Sequence, residues 1–593
     1  MKEFFRTFFA VILAMITMNI LAFFVAIFVI ASLATIQSPK PIVQGNSVLV
    51  ITLKDAIIDQ STSNKYAVDW LSGGFSMDKN LGLREVTTAI RNAANDPKIE
   101  GISLELSSTI PTSLALLEEI RTELENFKKS RKFIYAYSNS GFSQKGYYIA
   151  SVANEIYLSP VAGFDLRGLC YHIPFFKDFF DKFNIEMQVI RHGKYKSAVE
   201  PYISNKMSEA NREQTSSFVN ATWNDFLKPI SISRNISIED LNRYADELSV
   251  TGAKQAKKLD FIDDIIYEDE YVTRLKKVAF AEADADKKLR KITLEKYIAA
   301  EPEKKSSDND GYVAIVYAQG DIIEGKSTQS SMGNETICKA LRDAREDKKV
   351  KAIVFRVNSP GGSALASEFI LRELKLTVEE KPVIVSMGAY AASGGYYISC
   401  AANHIFADPT TLTGSIGVFG MVPNIQKLLK NDLKINFESV KTNKNADFMT
   451  TIFEPMSSYQ IAVIQNQIEE IYDTFITHVA EGRNMTKEQV DEIAQGRVWT
   501  GTEAIAINLV DELGSLEDAI AFAAEKAELN QYKIKEFPRQ KEFLEELLEN
   551  LTDMTSVKLL KNNRISPFIE AMDKAATMQG IQARLPFVII EGE

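Results

Sequence analysis

The chain is written twice, and this duplication constrains its fold more than any other feature. GYYIASVANEIYLSP (146–160) aligns with GYYISCAANHIFADP (395–409), with eight of fifteen positions identical at an offset of 249. Upstream, AIRNAANDPKIEGISLEL (89–106) aligns with ALRDAREDKKVKAIVFRV (340–357), and VLVITLKDAIID (48–59) with VAIVYAQGDIIE (313–324). Downstream, TGAKQAKKLDFID (251–263) aligns with TGTEAIAINLVD (500–511). Order kept over so long a span marks a duplicated domain.

Within each copy, β-branched runs alternate with amphipathic stretches. In the second copy GYVAIVYAQ, CKALRDAREDK, VKAIVFRV, ALASEFILRELKLTVEE, PVIVSM and YYISCAAN read in turn as strand, helix, strand, helix, strand and helix. Nearly all-apolar strands in this rhythm predict an α/β fold with sheets covered on both faces. The copies are expected at 46–298 and 312–538. Between them, 299–311 is polar, turn-rich and aperiodic, and reads as a linker. In the tail, 539–593, the leucines of KEFLEELLENLTDM have helical spacing, and no chemistry is assignable there.

A net charge of −11 with no basic cluster argues against a nucleic-acid partner. Three cysteines without C-x-x-C spacing and four histidines without ligand spacing predict no metal site, no disulfide framework and no cofactor. From residue 7 to residue 37 there is no charged side chain. That run exceeds a signal-peptide core of about 7–15 residues and reaches the length of about 20 that spans a bilayer. Residues 1–40 are therefore expected to be a cytoplasmic N-terminus and a transmembrane anchor held in membrane lipid. Lys2 and Arg6 before the run put the body of the chain outside the cytoplasm.

Ser393, in AYAASGGYYISC (389–400), stands where a buried strand ends and a helix begins. AASGG is a near miss to the G-x-S-x-G nucleophile elbow. The plainer alternative is a serine capping the helix. A second strand-turn-helix, RVNSPGGSALAS (356–367), carries Gly361 and Gly362, whose exposed amides could hold an oxyanion. In the first copy both features vanish together. RVNSPGGS becomes ELSSTIPTS, Ser393 falls opposite Gln144, and Gly394 opposite Lys145.

A base for Ser393 is harder to find. A continuous helix would put His404 about 16 Å away along its axis, and His478 lies in an amphipathic stretch. A buried, neutral lysine is the other choice. Lys194 has a counterpart in Lys444, whereas Lys196 falls opposite Ala446 and belongs to the first copy alone. One half has the lysine without the serine and the other the serine without the lysine, so a dyad split between the halves explains both losses.

NSPGGS, AASGGYYIS, LTGSIGVFG (412–420) and YKSAVEP around Lys196 together resemble peptidase family S49, in the long, duplicated form of the signal peptide peptidases. The resemblance covers residues 1 to about 535 and places the chain in the Clp-protease/crotonase superfamily of ββα repeats. It implies a membrane-anchored serine protease that degrades remnant signal peptides, at the bacterial inner membrane with its body on the periplasmic side, as a homotetramer. It also implies Ser393 as nucleophile, Lys196 as general base and Ser415 as the residue orienting the lysine. Gly361 and Gly362, with Gly394, would form the oxyanion hole. Val418 and Phe419 are candidates for lining a substrate pocket, with core packing as the alternative. Two rival functions remain: a crotonase-like acyl-CoA enzyme, which would not need Ser393 or Lys196, and a membrane-tethered scaffold that binds apolar peptides without chemistry.

Overall fold

The computed structural model describes residues 41–539 apart from 62–64, 70–73, 79, 281–288, 301–309, 329 and 450–451, together with 581–585, 589–591 and scattered positions between 3 and 21. The proposed anchor at 7–37 lies largely outside the described residues, as do most of the linker and positions 540–580 of the tail. Among the described residues no helix is long and apolar enough to cross a membrane.

The molecule is a mixed α/β fold built twice. In the first copy six strands lie parallel in the order Asp264–Ile265, Glu155–Leu158, Phe133–Ser138, Ile99–Glu105, Ser47–Ile51, Arg290–Thr293. The second copy runs the same way from its own edge, with Tyr532–Phe537 beside Gly311–Gln319, then Val350–Ser359, then Val383–Ala392. The strands Ser47–Ile51 and Gly311–Gln319 are buried almost throughout, as expected for parallel sheets with helices on both faces. The helix Asn334–Glu346 shows why: Ile337, Ala340, Leu341 and Ala344 recur at helical spacing and turn one apolar stripe to the sheet. Leu83–Asn95 repeats this with Leu83, Val86, Ile90 and Ala93.

Two local expectations need correction. PVIVSM is only the start of a strand that continues to Ala392, so the sheet itself delivers Ser393. YYISCAAN does not form a full helix; only Gly394–Tyr397 is helical. Beyond it the Ser399 amide bonds to the Tyr396 carbonyl at 3.0 Å and the Ala402 amide to the Ser399 carbonyl at 3.2 Å, tighter turns in place of a continued helix. The chain then turns into the strand His404–Ala407, paired with Val383–Ala392, so helical spacing does not measure the Ser393–His404 separation.

The copies interlock rather than sit side by side. Glu186–His192 of the first copy pairs antiparallel with Val418–Asn424 of the second from Glu186↔Asn424 to His192↔Val418. The tail adds the strand Ile581–Arg584 to this same sheet. At the interface between the copies the Arg356 side chain is fully buried. It reaches Asp59 at 2.6 Å and Glu119 at 2.7 Å, both from the first copy, and the Ser386 hydroxyl at 2.8 Å. Glu119 also accepts from the Leu516 amide at 2.7 Å, and Asp59 from the Asn358 amide group at 2.5 Å. Burial works against the Arg356 charge, but Glu119 and Asp59 outweigh it and keep the guanidinium protonated.

Breaking a buried ion pair costs about 3–5 kcal/mol, here at most, since Glu119 still faces Arg356 once Asp59 is gone. Asp59→Ala is expected to lose stability on that scale in thermal and denaturant unfolding. A change indistinguishable from that of an exposed Asp→Ala control would show that Arg356 does not clamp the copies.

Candidate active site

Ser393 follows directly on the last residue of Val383–Ala392. Its backbone has φ +56° and ψ −112°, an unfavourable region for a residue with a Cβ. A conformation of that kind costs about 1–3 kcal/mol and persists only where its surroundings fix it. Here the Ser393 amide donates to the Gly414 carbonyl at 2.7 Å, and the Ser393 carbonyl accepts from the Tyr397 amide at 2.8 Å. The glycines that follow are demanded by packing: a Cβ on Gly395 would lie 2.6 Å from the Ser359 carbonyl oxygen. The hydroxyl does not cap the helix. In the first copy that task falls to Ser143, which accepts from the Gly146 amide at 3.1 Å.

The Ser393 hydroxyl instead meets Lys196. Lys196 Nζ is 2.7 Å from Ser393 Oγ, 3.0 Å from the Ser415 carbonyl oxygen and 3.2 Å from Ser415 Oγ. Lys196 is 1% exposed. None of these three oxygens belongs to a carboxylate, and burial pushes the lysine well below its ordinary pKa. Ser415 itself has φ +50°, and its amide is tied to the Arg497 carbonyl at 2.6 Å. The geometry thus brings Ser393, Lys196 and Ser415 together.

Several residues that sequence reasoning missed hold the lysine there. Gly496, at φ +82°, packs so closely that a Cβ would lie 2.6 Å from the Lys196 nitrogen. The Tyr195 amide donates to the Gln495 carbonyl at 2.7 Å. Gln214 donates to the Tyr195 carbonyl and to Ser197 Oγ, each at 2.9 Å, and accepts from the Val498 amide at 3.2 Å. Arg191 donates to the Lys196 carbonyl at 2.9 Å. These contacts weave the lysine loop of one copy into the other. The only sequence signal for them is a glycine and a glutamine of ordinary appearance.

The glycine loop lies beside the serine. Gly361 has φ +101°, and a Cβ there would lie 2.8 Å from the Gly394 nitrogen. The Gly361 amide donates to Ser359 Oγ at 3.1 Å, which leaves the Gly394 amide, at the start of its helix, better disposed to meet an anion. Val418 and Phe419 are both fully buried: Val418 packs in the second core, Phe419 against Ala198, Val199 and Tyr202. Their side chains therefore belong to the interior, while the Phe419 backbone pairs with Arg191 on one side and Gln582 on the other. His404 stacks on Phe522 and approaches Glu512, and His478 bonds Lys375 and Glu368. Lys194 is exposed and reaches Tyr195.

In the first copy the corresponding place is filled. Gln144 Oε1 accepts from the Arg167 and Gly168 amides at 2.7 and 2.9 Å, and Lys145 Nζ donates to the Thr112 carbonyl at 2.8 Å. Leu166, opposite Ser415, is a buried core residue.

The profile of Peptidase family S49 matches residues 126–282 and 375–530, once in each copy. "Protease 4" of Salmonella typhi is 37% identical over 85% of this chain and 82% of its own length. "Serine protease SPPA, chloroplastic" of Arabidopsis thaliana is 33% identical over 95% of this chain and 81% of its own. A ClpP1 mutant from Listeria monocytogenes aligns at a TM-score of 0.24 and 18% identity over 35% of this chain and 94% of its own, too distant to bear on architecture. With both copies matched and relatives of this similarity along most of its length, the chain belongs to peptidase family S49 and is a serine protease.

Proposed function

We propose that the protease works through a dyad shared between the copies, with Ser393 as nucleophile and Lys196 as general base. The observation that carries this reading is the 2.7 Å contact between Ser393 Oγ and a buried amine with no carboxylate partner among the described residues. Desolvation keeps the amine neutral, and a neutral lysine can take the serine proton. The alkoxide attacks a peptide carbonyl, and backbone amides, Gly394 first with Gly362, hold the oxyanion, the Gly361 amide being engaged by Ser359 Oγ. Lys196 then protonates the leaving amine, and water resolves the acyl-enzyme. Ser415, bonded to Nζ through both its oxygens, orients the lysine.

The substrates on this reading are extended apolar peptides, remnant signal peptides among them. The uncharged run 7–37 anchors the chain in the bacterial inner membrane with its catalytic body on the periplasmic side. The two copies, 46–298 and 312–538, supply base and nucleophile respectively, and the chain assembles into a homo-oligomer, a tetramer by analogy with its family.

Hydrolysis of a leucine-rich fluorogenic peptide tests the dyad. Ser393→Ala and Lys196→Ala are each expected to lower kcat/KM by roughly 10⁴ or more, and the double variant little further, since groups acting as a unit are non-additive. Full activity in Lys196→Ala would remove it as the base.

The pH profile carries a sign. Because the neutral amine is the active form and its pKa is depressed, the rate should rise with pH and level off well below the ordinary lysine value of about 10.4. A rise that begins only near that value would mean a solvated lysine.

Stability gives a readout independent of turnover. Between the depressed native pKa and the ordinary one, the unfolded state binds the proton and the native state does not, so this group's contribution to stability rises with pH. Relative to Lys196→Met, the parent should therefore be least stable at low pH and gain as pH rises toward 10. A constant difference between the two would show that Lys196 is not held neutral by the fold.

A further inference from the structure

The strand that delivers Ser393 does not stay in step with its neighbour. Val383–Ala392 pairs with Val350–Ser359 up to Val357↔Met387, and the next pair is Ser359↔Ala391. Between them one residue, Asn358, stands opposite three, Gly388, Ala389 and Tyr390. A bulge of this kind re-aims the chain that follows it, and bulges gather beside active sites. Here the re-aimed stretch is 390–392, which also pairs with Leu412–Gly414, and the Gly414 carbonyl then takes the Ser393 amide at 2.7 Å.

Asn358 fills the bulge and fixes it from within. Its Oδ1 accepts from the Tyr390 amide at 3.2 Å, in place of a ladder carbonyl. A Cβ on Gly388 would lie 2.9 Å from Asn358 Cγ, so a side chain at 388 would crowd the asparagine out. The Gly388 carbonyl is held by Thr411 Oγ1 at 2.7 Å. From its other end Asn358 Nδ2 donates to Asp59 Oδ2 of the first copy at 2.5 Å. Its main chain leads into the glycine loop, where Ser359 Oγ accepts from the Gly361 amide at 3.1 Å. In the first copy Asn358 falls opposite Ser107, whose hydroxyl turns to the Thr109 carbonyl at 2.9 Å. There the strand Phe133–Ser138 ends where its counterpart Val383–Ala392 continues. The bridge belongs to the copy that carries Ser393.

We propose that Asn358 is a positioning residue of the protease, bridging Asp59 to Tyr390 so that docking of the first copy sets the bulge and, through it, the turn that presents Ser393. This rests on the reading of Ser393 as nucleophile. An amide suits the place because one end donates to a carboxylate while the other accepts from a backbone amide. A carboxylate there would keep the acceptor for Tyr390, lose the donor, and face Asp59 as a like charge. The effect belongs in kcat more than in KM, because a nucleophile moved slightly out of place weakens the chemical step more than it weakens peptide binding.

The test is hydrolysis of a leucine-rich fluorogenic peptide by the full-length protein. At about pH 9, Asn358→Asp is expected to lower kcat at least about tenfold, with KM within about twofold of the parent's. At about pH 6 the ratio of variant to parent should move toward one, because two facing carboxyls then share a proton and the bond to Asp59 returns. Arg356, Glu119 and Tyr317, which face Asp59 among the described residues, are common to both proteins, as is Lys196, so the ratio isolates the new carboxyl. Adding Asp59→Asn to Asn358→Asp exchanges the two ends of the bond and should bring kcat back to within about threefold of the parent's. Parent-like kcat in Asn358→Asp, a ratio that does not change with pH, or no recovery on the exchange would each overturn the proposal. Should Asn358→Asp not fold, Asn358→Ser, with the residue type the first copy carries here, replaces it: a fall in kcat at constant KM upholds the proposal, and an unchanged kcat overturns it. Ser393→Ala is assayed beside them. Its loss of activity together with a parent-like Asn358→Asp defeats this proposal alone, whereas a fully active Ser393→Ala defeats the nucleophile reading and this proposal with it.

Discussion

A buried lysine without a counter-charge is the constraint on which the site depends. An amine that gives up water and gains no carboxylate is costly to keep charged, so burial pushes its pKa well below the ordinary lysine value. On the proposed dyad, a lowered pKa is useful because the amine sits 2.7 Å from the Ser393 hydroxyl. That position is reached from far away in the chain. Lys196 arrives on a loop after Glu186–His192, and Ser393 arrives on the end of Val383–Ala392. Everything that fixes one copy against the other, from the paired strands to the Arg356 cluster, therefore also fixes the distance between Lys196 and Ser393.

The duplication shows how one scaffold carries two halves of a site. Where the second copy has Ser393 in a strained turn, the first has Gln144, which spends its amide oxygen on the Arg167 and Gly168 backbone. Where the second copy needs a bare Gly394 amide, the first has Lys145, whose amine is bound to the Thr112 carbonyl. These replacements satisfy local polar groups, so the first copy keeps its packing with no vacant cleft at that point. The same economy appears at the helix cap, moved one residue back to Ser143.

Much of this was legible in the sequence, for identifiable reasons. Alternating apolar runs report sheets and helices because burial on both faces leaves no room for polar residues, and the 249-residue offset made Ser393 and Lys196 stand out as complementary losses. The helix after Ser393 was read too long because the chain tightens into short turns at Ser399 and Ala402 and re-enters the sheet at His404, which periodicity does not register. Gly496 was missed because it acts on a loop hundreds of residues distant by the absence of a side chain, and Gln214 because its role is a set of hydrogen bonds to the lysine loop and to Val498 that no periodicity reports. The tail strand was missed for a similar reason. IQARL alternates apolar and polar residues, but over too short a run to mark a strand by itself, and its pairing is dictated by two edges that other parts of the chain supply.

The split between the copies has a consequence for how the protein is made. A ribosome delivers the chain from its N-terminus, and domains generally fold in that order. On the shared-dyad reading, the half that emerges first holds an amine with nothing to activate, and Ser393 follows only some two hundred residues later. Reactivity then waits on the docking of two finished cores. On that same reading a nascent, truncated or half-folded copy would be chemically silent, and the cell would be spared a protease that cuts before its own architecture is complete.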